Sequence, residues 1–367
     1  MTERFEIFLA GAPGLEEALA SEAKAKGFAD PVAVPGGVEI SGGWPDVWRA
    51  NLELRGGARV LVRLGSFRAM HLAQLDKRAR KFPWAESLRA DVPLRVEVTC
   101  RKSRIYHARA AAERVERALV EELGATLSPE ASLVVKVRIE DDLCTISVDS
   151  TGAALHIRGH KEFVGKAPMR ENLAALFLAE CGFDGTAPVV DPMCGSGTFV
   201  IEAAEIAAGL QPGRSRRFAF EDLASFDAAA WAAMKRQVTP AGPVRFYGFD
   251  RDDGAIRGAT ANAERAGVAG VTAFRRQAIS DLTPPDGPPG LVIVNPPYGA
   301  RIGNRKLLFS LYGAVGKTLA DRFAGWRVGL VTSDGGLAKA TGLPWQPAGK
   351  AVSFGGLKVT LWRTGVL

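Results

Sequence analysis

Beginning near residue 165, short apolar runs alternate with segments of helical periodicity, and few folds accommodate that order. Parallel neighbours in a sheet need helical crossovers, so the order predicts an α/β fold: a doubly wound, mostly parallel, Rossmann-like sheet. A last strand, with an antiparallel orientation as one option, is expected over 357–362. The other predicted strands are 188–191, 246–250, 290–295 and 328–332, separated by helices over 199–209, 253–266 and 308–323.

The residues up to about 150 have a different pattern, typical of small α+β units. The chain therefore divides, and we place the junction between Thr151 and Lys166. The stretch 211–243, which has Pro-Gly and Gly-Pro pairs at its ends, is a predicted insertion in the second part. In the first part we predict helices over 15–26 and 107–123, strands over 5–9, 38–40 and 94–100, and a hairpin of strands 135–139 and 143–148.

Composition argues against several classes of protein. The apolar fraction of 47% and the charged fraction of 24% are typical of a globular protein with packed cores. The four cysteines form no Cys-x-x-Cys pair and no cluster with histidine, so neither a zinc site nor a disulfide framework is expected. No apolar run has the length of a membrane span, and the N-terminus lacks the apolar core of a signal peptide. We therefore expect a cytoplasmic protein without a bound metal and without a membrane partner.

Basic residues concentrate in one segment of the chain. The net charge is +7, whereas residues 56–110 alone hold 13 Lys and Arg against 4 Asp and Glu, a surplus of +9. A solvated basic face would explain this surplus, and so would a surface that binds the phosphates of a nucleic acid. The candidate nucleic-acid contacts are Lys77, Arg78, Arg80, Lys81, Arg101, Lys102 and Arg104.

A loop with two glycines lies where the predicted strand 188–191 leads into a helix. Gly195 and Gly197 allow the backbone to approach a ligand closely, although a turn that only redirects the chain is the alternative. No Gly-Lys-Ser/Thr follows, which excludes a Walker phosphate loop, and Val200 stands where a dinucleotide fingerprint has its third glycine. The candidate cofactor contacts in this loop are Asp191, Pro192, Met193, Cys194, Gly195, Ser196, Gly197 and Thr198.

A carboxylate ends the second predicted strand of this sheet. Asp250 follows Phe246-Tyr-Gly-Phe, and an acidic group there can accept both ribose hydroxyls of an adenosyl group. Its distance from the glycines exceeds the usual spacing of about 20 residues, and the insertion over 211–243 accounts for the excess. The alternative role, an aspartate that caps the next helix, is open to Asp252 and Asp253 as well.

The most specific motif is Asn-Pro-Pro-Tyr-Gly at 295–299, directly after an apolar strand. Prolines donate no backbone hydrogen bond and fix φ, so the carbonyl groups there remain available as acceptors. The Asn295 amide oxygen and the Pro296 carbonyl can hold an amino group for attack on a methyl sulfonium, while Tyr298 offers a stacking face for a base. A rigid strand-end turn is the alternative. We therefore assign Asn295, Pro296, Pro297 and Tyr298 as catalytic candidates, with Asn295 also beside the cofactor.

These motifs, in this order, resemble the THUMP-domain class of Rossmann-fold RNA methyltransferases. The resemblance covers nearly the whole chain and points to the N-terminal half of the fused bacterial enzymes that form N2-methylguanine in 23S ribosomal RNA. Relatives of similar design modify transfer RNA. The matching tracts are 14–17, 35–38, 155–160, 167–175, 191–198 and 295–299.

The resemblance implies S-adenosylmethionine as the cofactor. It also implies that Glu171 and Asn172 border the methionine end of the cofactor and that Asp250 binds its ribose. The basic residues named above are then contacts to RNA. The implied domains are a ferredoxin-like part over 1–50, a THUMP RNA-binding domain over 51–152 and a methyltransferase domain over 153–367.

The sequence departs from the family pattern at one cofactor position. The family has an acidic residue that binds the adenine amino group, and Ala278 stands at that place. Either Gln277 or Asp281 takes over the adenine contact, or the contact is lost. Some members also carry a second methyltransferase domain downstream; because this sequence ends at Leu367, a single activity is expected.

The sequence therefore predicts an RNA methyltransferase that forms N2-methylguanosine, in 23S ribosomal RNA first and in transfer RNA as an alternative. The turn at 295–298 suits any amino nitrogen, so a DNA adenine-N6 methyltransferase and a protein-glutamine methyltransferase share it. The N-terminal α+β domain with its basic stretch argues against the DNA enzyme, and the basic segment 56–110 disfavours a protein substrate. An RNA-binding assembly factor without activity is a further alternative, which Ala278 leaves open. The missing third glycine disfavours a hydride-transfer enzyme.

Overall fold

The computed structural model describes residues 4–165, 168–243, 245–298 and 305–367. The described residues form two compact units. The first comprises residues up to 11, 20–155 and 216–235, and the second comprises 12–19, 156–215 and 236–367. Among the described residues, none of the helices combines the length and the apolarity that crossing a bilayer requires.

The first unit contains a single mixed sheet. Its strands are β1 (Phe5–Ala10), β2 (Val32–Val34), β3 (Gly37–Gly42), β4 (Arg59–Arg68), β5 (Leu94–Arg101), β6 (Leu133–Glu140) and β7 (Leu143–Asp149). Their order is β2-β3-β1-β4-β7-β6-β5, and only β5 and β6 pair in parallel within the described part of this sheet. The predicted hairpin of β6 and β7 is confirmed, and Asp141 and Asp142 at its turn have positive φ, as tight hairpins require.

One continuous sheet thus contains strands from both predicted N-terminal domains, so the boundary near residue 50 stays a prediction. Apolar residues of alternate register, such as Ile7, Val60 and Val62, are buried on one face of this sheet. The early helices are α1 (Glu16–Ala25), α2 (Trp44–Glu53), α3 (Leu72–Arg80) and α4 (Ala108–Ala118), and a π-helical turn extends α4 to Leu123.

Part of the predicted insertion belongs to the first unit. Residues 216–235 carry α7 (Ala228–Met234) and a small aromatic cluster. The Phe220 ring stacks on Phe218, and Trp231 and Trp48 lie against it with ring centroids 5.0 and 6.2 Å away. The backbone N–H of Phe220 donates to the carbonyl of Ser150 at 2.9 Å. The stretch therefore contributes to the core of the first unit and is not merely a longer connection.

The second unit is the predicted doubly wound sheet. Its strands are β8 (Val189–Asp191), β9 (Phe246–Asp250), β10 (Thr272–Arg276), β11 (Leu291–Val294), β12 (Arg327–Thr332), β13 (Ala351–Phe354) and β14 (Leu357–Val366). The order is β10-β9-β8-β11-β12-β14-β13. The first five strands in this order run parallel, and β14 pairs antiparallel with both β12 and β13. The Rossmann-like fold class and the antiparallel last strand are confirmed.

The second unit also contains the helices α5 (Glu171–Glu180), α6 (Thr198–Ala207), α8 (Asp253–Ala266), α9 (Arg305–Arg322) and α10 (Gly335–Ala340). The helices predicted over 199–209, 253–266 and 308–323 are present as α6, α8 and α9, whereas α5 and α10 were not predicted. Val315 and Leu319 of α9, together with Phe323 directly after it, are buried against Val292 and Val328 of the sheet. Burying such side chains removes apolar surface from water, and this burial fixes the crossover against the sheet. The carboxyl ends of β8, β9 and β11 are therefore held on a packed base.

Candidate active site

The predicted site residues meet at one edge of the second sheet. The chain leaves central strand β8 for β9 on one side, and β11 pairs with β8 on the other. Ligands bind outside the carboxyl ends of strands at such a switch point. Asp191 ends β8, Asp250 ends β9 and Asn295 follows β11, so the three predicted tracts lie at the same edge.

The glycine loop at 192–197 has a defined geometry. Gly195 and Gly197 have φ of +51° and +81°, which side-chain-bearing residues rarely adopt. A Cβ at Gly197 would stand 3.0 Å from the Phe274 ring, whereas a Cβ at Gly195 would have no atom within 4 Å. The loop is anchored by Cys194, whose N–H donates to the Phe249 carbonyl at 2.8 Å. Gly197 is thus required by packing, while Gly195 leaves open space beside the backbone.

The side chain of Asp191 stabilises this loop through a hydrogen bond. Its carboxylate is 3% exposed and accepts the Met193 N–H at 3.1 Å. Burial raises the pKa of Asp191 to about 8, and the nearby Asp250 carboxylate adds to the rise while the Met193 hydrogen bond opposes it. The buried carboxyl therefore holds a proton over much of the neutral range.

Asp250 lies between the glycine loop and the next helix. Its Oδ2 accepts the Gly195 N–H at 3.1 Å and its Oδ1 accepts the Asp252 N–H at 2.9 Å. Asp252, and not Asp250, is the N-cap of α8 and accepts the Ala255 N–H at 2.9 Å. Since the cap role is taken by Asp252, the Asp250 carboxylate remains suited to a ligand.

The two candidates for the adenine contact lie beyond β10. The N–H of Gln277 donates to the Asp250 carbonyl at 2.9 Å, so Gln277 stands beside the proposed ribose residue. Its side-chain Nε2 donates to the Asp281 carbonyl at 2.7 Å. The Asp281 carboxylate is exposed and accepts from Ser280 Oγ at 3.2 Å, and Ala278 begins the short turn between them.

Glu171 and Asn172 begin α5, and both are nearly fully buried. Burial raises the pKa of Glu171, and the ammonium of Lys161, 3.2 Å from Glu171 Oε1, opposes the rise. Lys161 Nζ also donates to the Met169 carbonyl at 2.7 Å, and Thr198 Oγ1 lies 3.4 Å from the same carbonyl. These contacts place the start of α5 beside the start of α6, where the glycine loop ends.

The turn after β11 carries unsatisfied polar atoms. Within the described ranges, Asn295 Oδ1 and the Tyr298 hydroxyl are buried without a hydrogen-bond partner. Burial also raises the pKa of Tyr298, so its hydroxyl keeps its proton. The carbonyl of Pro297 accepts from the Tyr312 hydroxyl of α9 at 3.4 Å, which fixes the turn from behind. The last residue of the motif, Gly299, and Ala167 of the 167–175 tract lie outside the described residues.

Tyr298 also lines a cavity of about 620 Å³. A cavity of this volume suits a ligand of nucleotide size. Of its lining residues, only Tyr298 and Glu171 are assigned a role from the sequence. The other lining residues in the tracts 155–160 and 167–175 matched the family pattern without an assigned role, and the turn between β13 and β14 carried no sequence signal. Besides Tyr298, the lining residues are His156, Ile157, Arg158, Gly159, Lys161, Val164, Pro168, Met169, Arg170, Glu171, Phe354, Gly355 and Leu357.

In the first unit, the predicted basic residues form two clusters at opposite ends of α3. Lys77, Arg78 and Lys81 are exposed at its C-terminal end. Arg80 differs from them, because it pairs with the carboxylates of Asp76, Glu121 and Glu122. The charge of Arg80 is thus largely offset within the protein.

The second cluster, Arg101, Lys102 and Arg104, lies near the start of α3, since Arg104 Nη1 is 3.1 Å from Met70 Sδ. Close behind it in the chain stands Tyr106, with a side chain 73% exposed. Exposed aromatic rings beside basic residues are stacking platforms for single-stranded nucleic acids. The sequence shows a tyrosine within a basic run at this place, but it does not show whether the Tyr106 side chain is exposed or buried.

Comparison with known proteins identifies two family patterns in the chain. A family described as RMKL-like, methyltransferase domain, matches residues 158–360, which is more than half of the chain. A second family, described as RlmL ferredoxin-like domain, matches residues 6–61.

A curated protein of Syntrophotalea carbinolica, named ribosomal RNA large subunit methyltransferase K/L, is 36% identical over 92% of this chain and 50% of its own length. The chain spans about half the length of the curated relatives that it matches.

Two solved structures share the whole architecture. A protein of Listeria monocytogenes, described as a predicted N6-adenine-specific DNA methylase, is 28% identical with a TM-score of 0.88, over 100% of this chain and 97% of that one. A putative methyltransferase, SMU.472, crystallised in complex with SAH, is 26% identical with a TM-score of 0.87, over 100% and 99% of the two chains.

Proposed function

Since the chain belongs to the RMKL-like methyltransferase family, we propose that it transfers a methyl group from S-adenosylmethionine to the N2 amino group of guanine in large-subunit, 23S ribosomal RNA. The observation that carries the proposal is the buried, unpartnered Asn295 Oδ1, which shares its turn with Tyr298. An oxygen in this position needs a donor, because a buried acceptor without one costs about 1–3 kcal/mol. The amino group of a base is a suitable donor.

The residues around the glycine loop fit S-adenosylmethionine, whose sulfonium supplies an electrophilic methyl group. The open space beside Gly195 leaves room for a ligand against the backbone. The Asp250 carboxylate at the tip of β9 supplies two acceptor oxygens for ribose hydroxyls. Gln277, beside Asp250, offers an amide to adenine, and the Glu171 carboxylate suits the ammonium of the methionine end. In this chain Ala278 stands where the family has an acidic residue that binds the adenine amino group, and Gln277 then makes that contact instead.

The turn at 295–298 orients the acceptor nitrogen. Asn295 Oδ1 and the Pro296 carbonyl accept its two N–H groups, which directs the nitrogen lone pair away from them. The amino nitrogen of guanine is a weak nucleophile because its lone pair is delocalised, so positioning and electrostatic alignment supply the rate. No strong base is present in the turn, and after methyl transfer the excess proton on the nitrogen passes to solvent water. The Tyr298 ring, on the cavity wall, stacks on the base once it is out of its helix.

Two observations favour RNA as the acceptor. The first unit carries two exposed basic clusters and the exposed ring of Tyr106, a combination suited to structured RNA with unpaired bases. The curated relatives are named as ribosomal RNA methyltransferases. Transfer RNA remains an alternative acceptor. DNA adenine, named for the Listeria relative, is the alternative that the turn itself permits.

The decisive experiment supplies labelled S-adenosylmethionine and separate acceptors: 23S ribosomal RNA, transfer RNA and duplex DNA from a strain that lacks this protein. Nucleosides are then separated by chromatography. We expect label in N2-methylguanosine from 23S ribosomal RNA, and much less label with the Asn295→Ala variant. Label in N6-methyladenine of DNA would contradict the proposal. Absence of label on every acceptor, in a protein that binds S-adenosylhomocysteine, would indicate an RNA-binding factor without activity.

A further inference from the structure

Residues 156–165 form an irregular segment without helix or strand, here called the cavity-wall segment. It supplies six of the residues that line the 620 Å³ cavity, including Lys161 and Val164. No backbone ladder of a sheet or helix holds this segment. Its position therefore depends on contacts made by side chains of neighbouring elements.

One side chain of α8 joins the cavity-wall segment to the glycine loop. Asn262 is 0% exposed, and its Nδ2 donates to the carbonyl of Ser196 in the loop and to the carbonyl of Phe163, both at 3.1 Å. Its Oδ1 accepts the backbone N–H groups of Glu162 and Phe163, both at 3.2 Å. The carboxamide is thus bound on both of its ends.

The Asn262 oxygen also accepts from the guanidinium of Arg265 on α8, and the residue type follows from all of these contacts. Two carbonyl groups face the nitrogen of Asn262 and two N–H groups face its oxygen, so the orientation of the amide is determined by its partners. Among the side chains of this size, only an amide has both donors and an acceptor. A carboxylate there would keep the Glu162 and Phe163 N–H groups and the Arg265 guanidinium paired, but it would leave the Ser196 and Phe163 carbonyls facing negative charge.

Further contacts from α8 hold the same segment. Arg265 donates through Nε to the His160 carbonyl at 2.9 Å and lies 3.4 Å from the Glu162 carboxylate. The Phe163 ring packs so closely on Gly258 that an added Cβ would stand 2.2 Å from a ring carbon. These contacts reach the cavity-wall segment without involving the glycine loop. Of these α8 residues, Asn262 is the one that bonds to both the cavity-wall segment and the glycine loop.

We propose that Asn262 is a positioning residue that couples the cofactor loop to the wall of the target cavity, so that cofactor and RNA each strengthen binding of the other. The inference rests on the proposed function of this site. The Ser196 carbonyl lies between Gly195 and Gly197, so a displacement of the loop on cofactor binding moves the acceptor of Asn262 Nδ2. The same nitrogen holds the Phe163 carbonyl, and the displacement therefore reaches the cavity wall. Coupling of this kind is reciprocal between two ligands.

The test measures S-adenosylhomocysteine affinity by calorimetry with and without saturating 23S ribosomal RNA. The ratio of the two dissociation constants is the coupling factor. For the wild type we expect a factor of about five or more, within the usual range for coupled sites. For Asn262→Asp we expect a factor near one and a lower kcat when both substrates saturate.

Two further variants separate coupling from stability. Asn51, in the first unit, is also 0% exposed and bridges backbone and side chains through its carboxamide, so Asn51→Asp is the matched control. It should lower Tm and leave the coupling factor as in wild type. Gly258→Ala displaces Phe163 but leaves the Asn262–Ser196 bond, and alanine has a higher helix propensity than glycine. Gly258→Ala should lower the coupling factor without changing cofactor affinity in the absence of RNA. If Asn262→Asp does not fold, Gly258→Ala replaces it as the test of coupling.

Each outcome decides the inference. Wild-type coupling in Asn262→Asp, or in Gly258→Ala where the former does not fold, overturns it. A wild-type protein that binds both ligands independently overturns it as well, and leaves the proposed function standing. A wild-type protein that binds no S-adenosylhomocysteine, or transfers no methyl group, overturns the proposed function and the inference together.

Discussion

At the scale of single residues, the site combines buried polar atoms of two kinds. Asn295 Oδ1 is buried without a partner in the described part of the chain, whereas Asp191 is buried with a partner and a raised pKa. The first arrangement is costly unless a ligand supplies a donor. The second costs less, because burial raises the pKa of Asp191 and so favours its neutral form. The two residues are therefore expected to respond differently to substitution.

Replacing Asn295 with alanine should remove the proposed acceptor for the amino group. By analogy with the loss of one preorganised polar contact, we expect kcat to fall by roughly 10²–10³. The affinity for S-adenosylhomocysteine, measured by calorimetry, should change little, since Asp250 and the glycine loop are intact. Tyr298→Phe is the matched control and should keep most activity, because the stacking face is preserved. Methylation by Asn295→Ala at the wild-type rate would show that another group holds the nitrogen.

The raised pKa of Asp191 predicts a dependence of stability on pH. Its folded-state pKa, about 8, exceeds its ordinary value of 3.8, so the folded state binds the proton more tightly. The stability contributed by this group is complete below the ordinary value and is lost as pH rises through about 8. Asp191→Asn cannot ionise and keeps an oxygen for the Met193 N–H. Its Tm should therefore fall less than that of the wild type between about pH 6 and pH 9.

Thermal unfolding without cofactor, followed at both pH values, measures this difference. The exposed Asp286 supplies a control, and Asp286→Asn should follow the wild-type pH dependence. Identical pH dependence in the wild type and Asp191→Asn would contradict the prediction, because it would mean that Asp191 is already ionised at neutral pH.

At the scale of elements, the unit of the site is the strand–loop–helix made of β8, the glycine loop and α6. The loop is held on one side by the Asp250 carboxylate, which accepts the Gly195 N–H, and on the other by Asn262, which donates to the Ser196 carbonyl. Its shape therefore depends on β9 and α8 as much as on its own glycines.

The two glycines of the loop should differ in their response to alanine. Both positions have positive φ, which costs a side-chain-bearing residue about 1–2 kcal/mol. Gly197→Ala adds a close approach to Phe274 and to Ala259, whereas Gly195→Ala meets no atom within 4 Å. Urea unfolding should show a larger loss of stability for Gly197→Ala. Equal losses would mean that Phe274 moves aside at no cost.

At the scale of the whole molecule, the excess of basic residues and the candidate methyltransferase site lie in different structural units. The surplus over 56–110 lies in the first unit, and the methyltransferase pattern over 158–360 lies largely in the second. Affinity for RNA and affinity for cofactor should therefore be separable by mutation, although the proposed coupling through Asn262 links the cofactor to the target base.

The salt dependence of RNA binding tests the role of the first unit. Each phosphate contact that is lost should flatten the slope of log K against log salt by about 0.7–0.9. Replacing Lys77, Arg78 and Lys81 with glutamine should therefore weaken binding and flatten the slope while cofactor affinity stays constant. Arg80→Gln is the matched comparison and should flatten it less, because Asp76, Glu121 and Glu122 already offset its charge. An affinity that does not depend on salt would argue against the basic clusters.

Tyr106 should contribute in a different way. Tyr106→Ala removes an exposed stacking face and is expected to weaken RNA binding by about 1–3 kcal/mol. Because stacking releases no counterions, the loss should be the same at every salt concentration. Filter binding at several salt concentrations distinguishes this behaviour from that of the basic clusters. A flattened slope in Tyr106→Ala would mean that the residue positions a charge instead.

The sequence alone determined the features that depend on neighbours along the chain. Alternation of apolar runs and helices predicted the parallel sheet, and turn chemistry predicted the Asn-Pro-Pro-Tyr turn and the glycine loop at strand ends. These patterns are local, because periodicity and φ preferences act over a few residues. The carboxyl ends of parallel strands share one edge, so even the meeting of Asp191, Asp250 and Asn295 followed from the predicted sheet.

Only the tertiary structure decided which distant residues share a contact. Asn262 accepts a hydrogen bond from the backbone N–H of Glu162, which lies 100 positions earlier. The sequence around either residue contains no pattern that predicts this contact. The same holds for the return of 216–235 to the core of the first unit and for the carboxylates that offset Arg80. Such contacts are selected by packing and by the requirement that buried polar groups find partners, and that requirement is met in three dimensions.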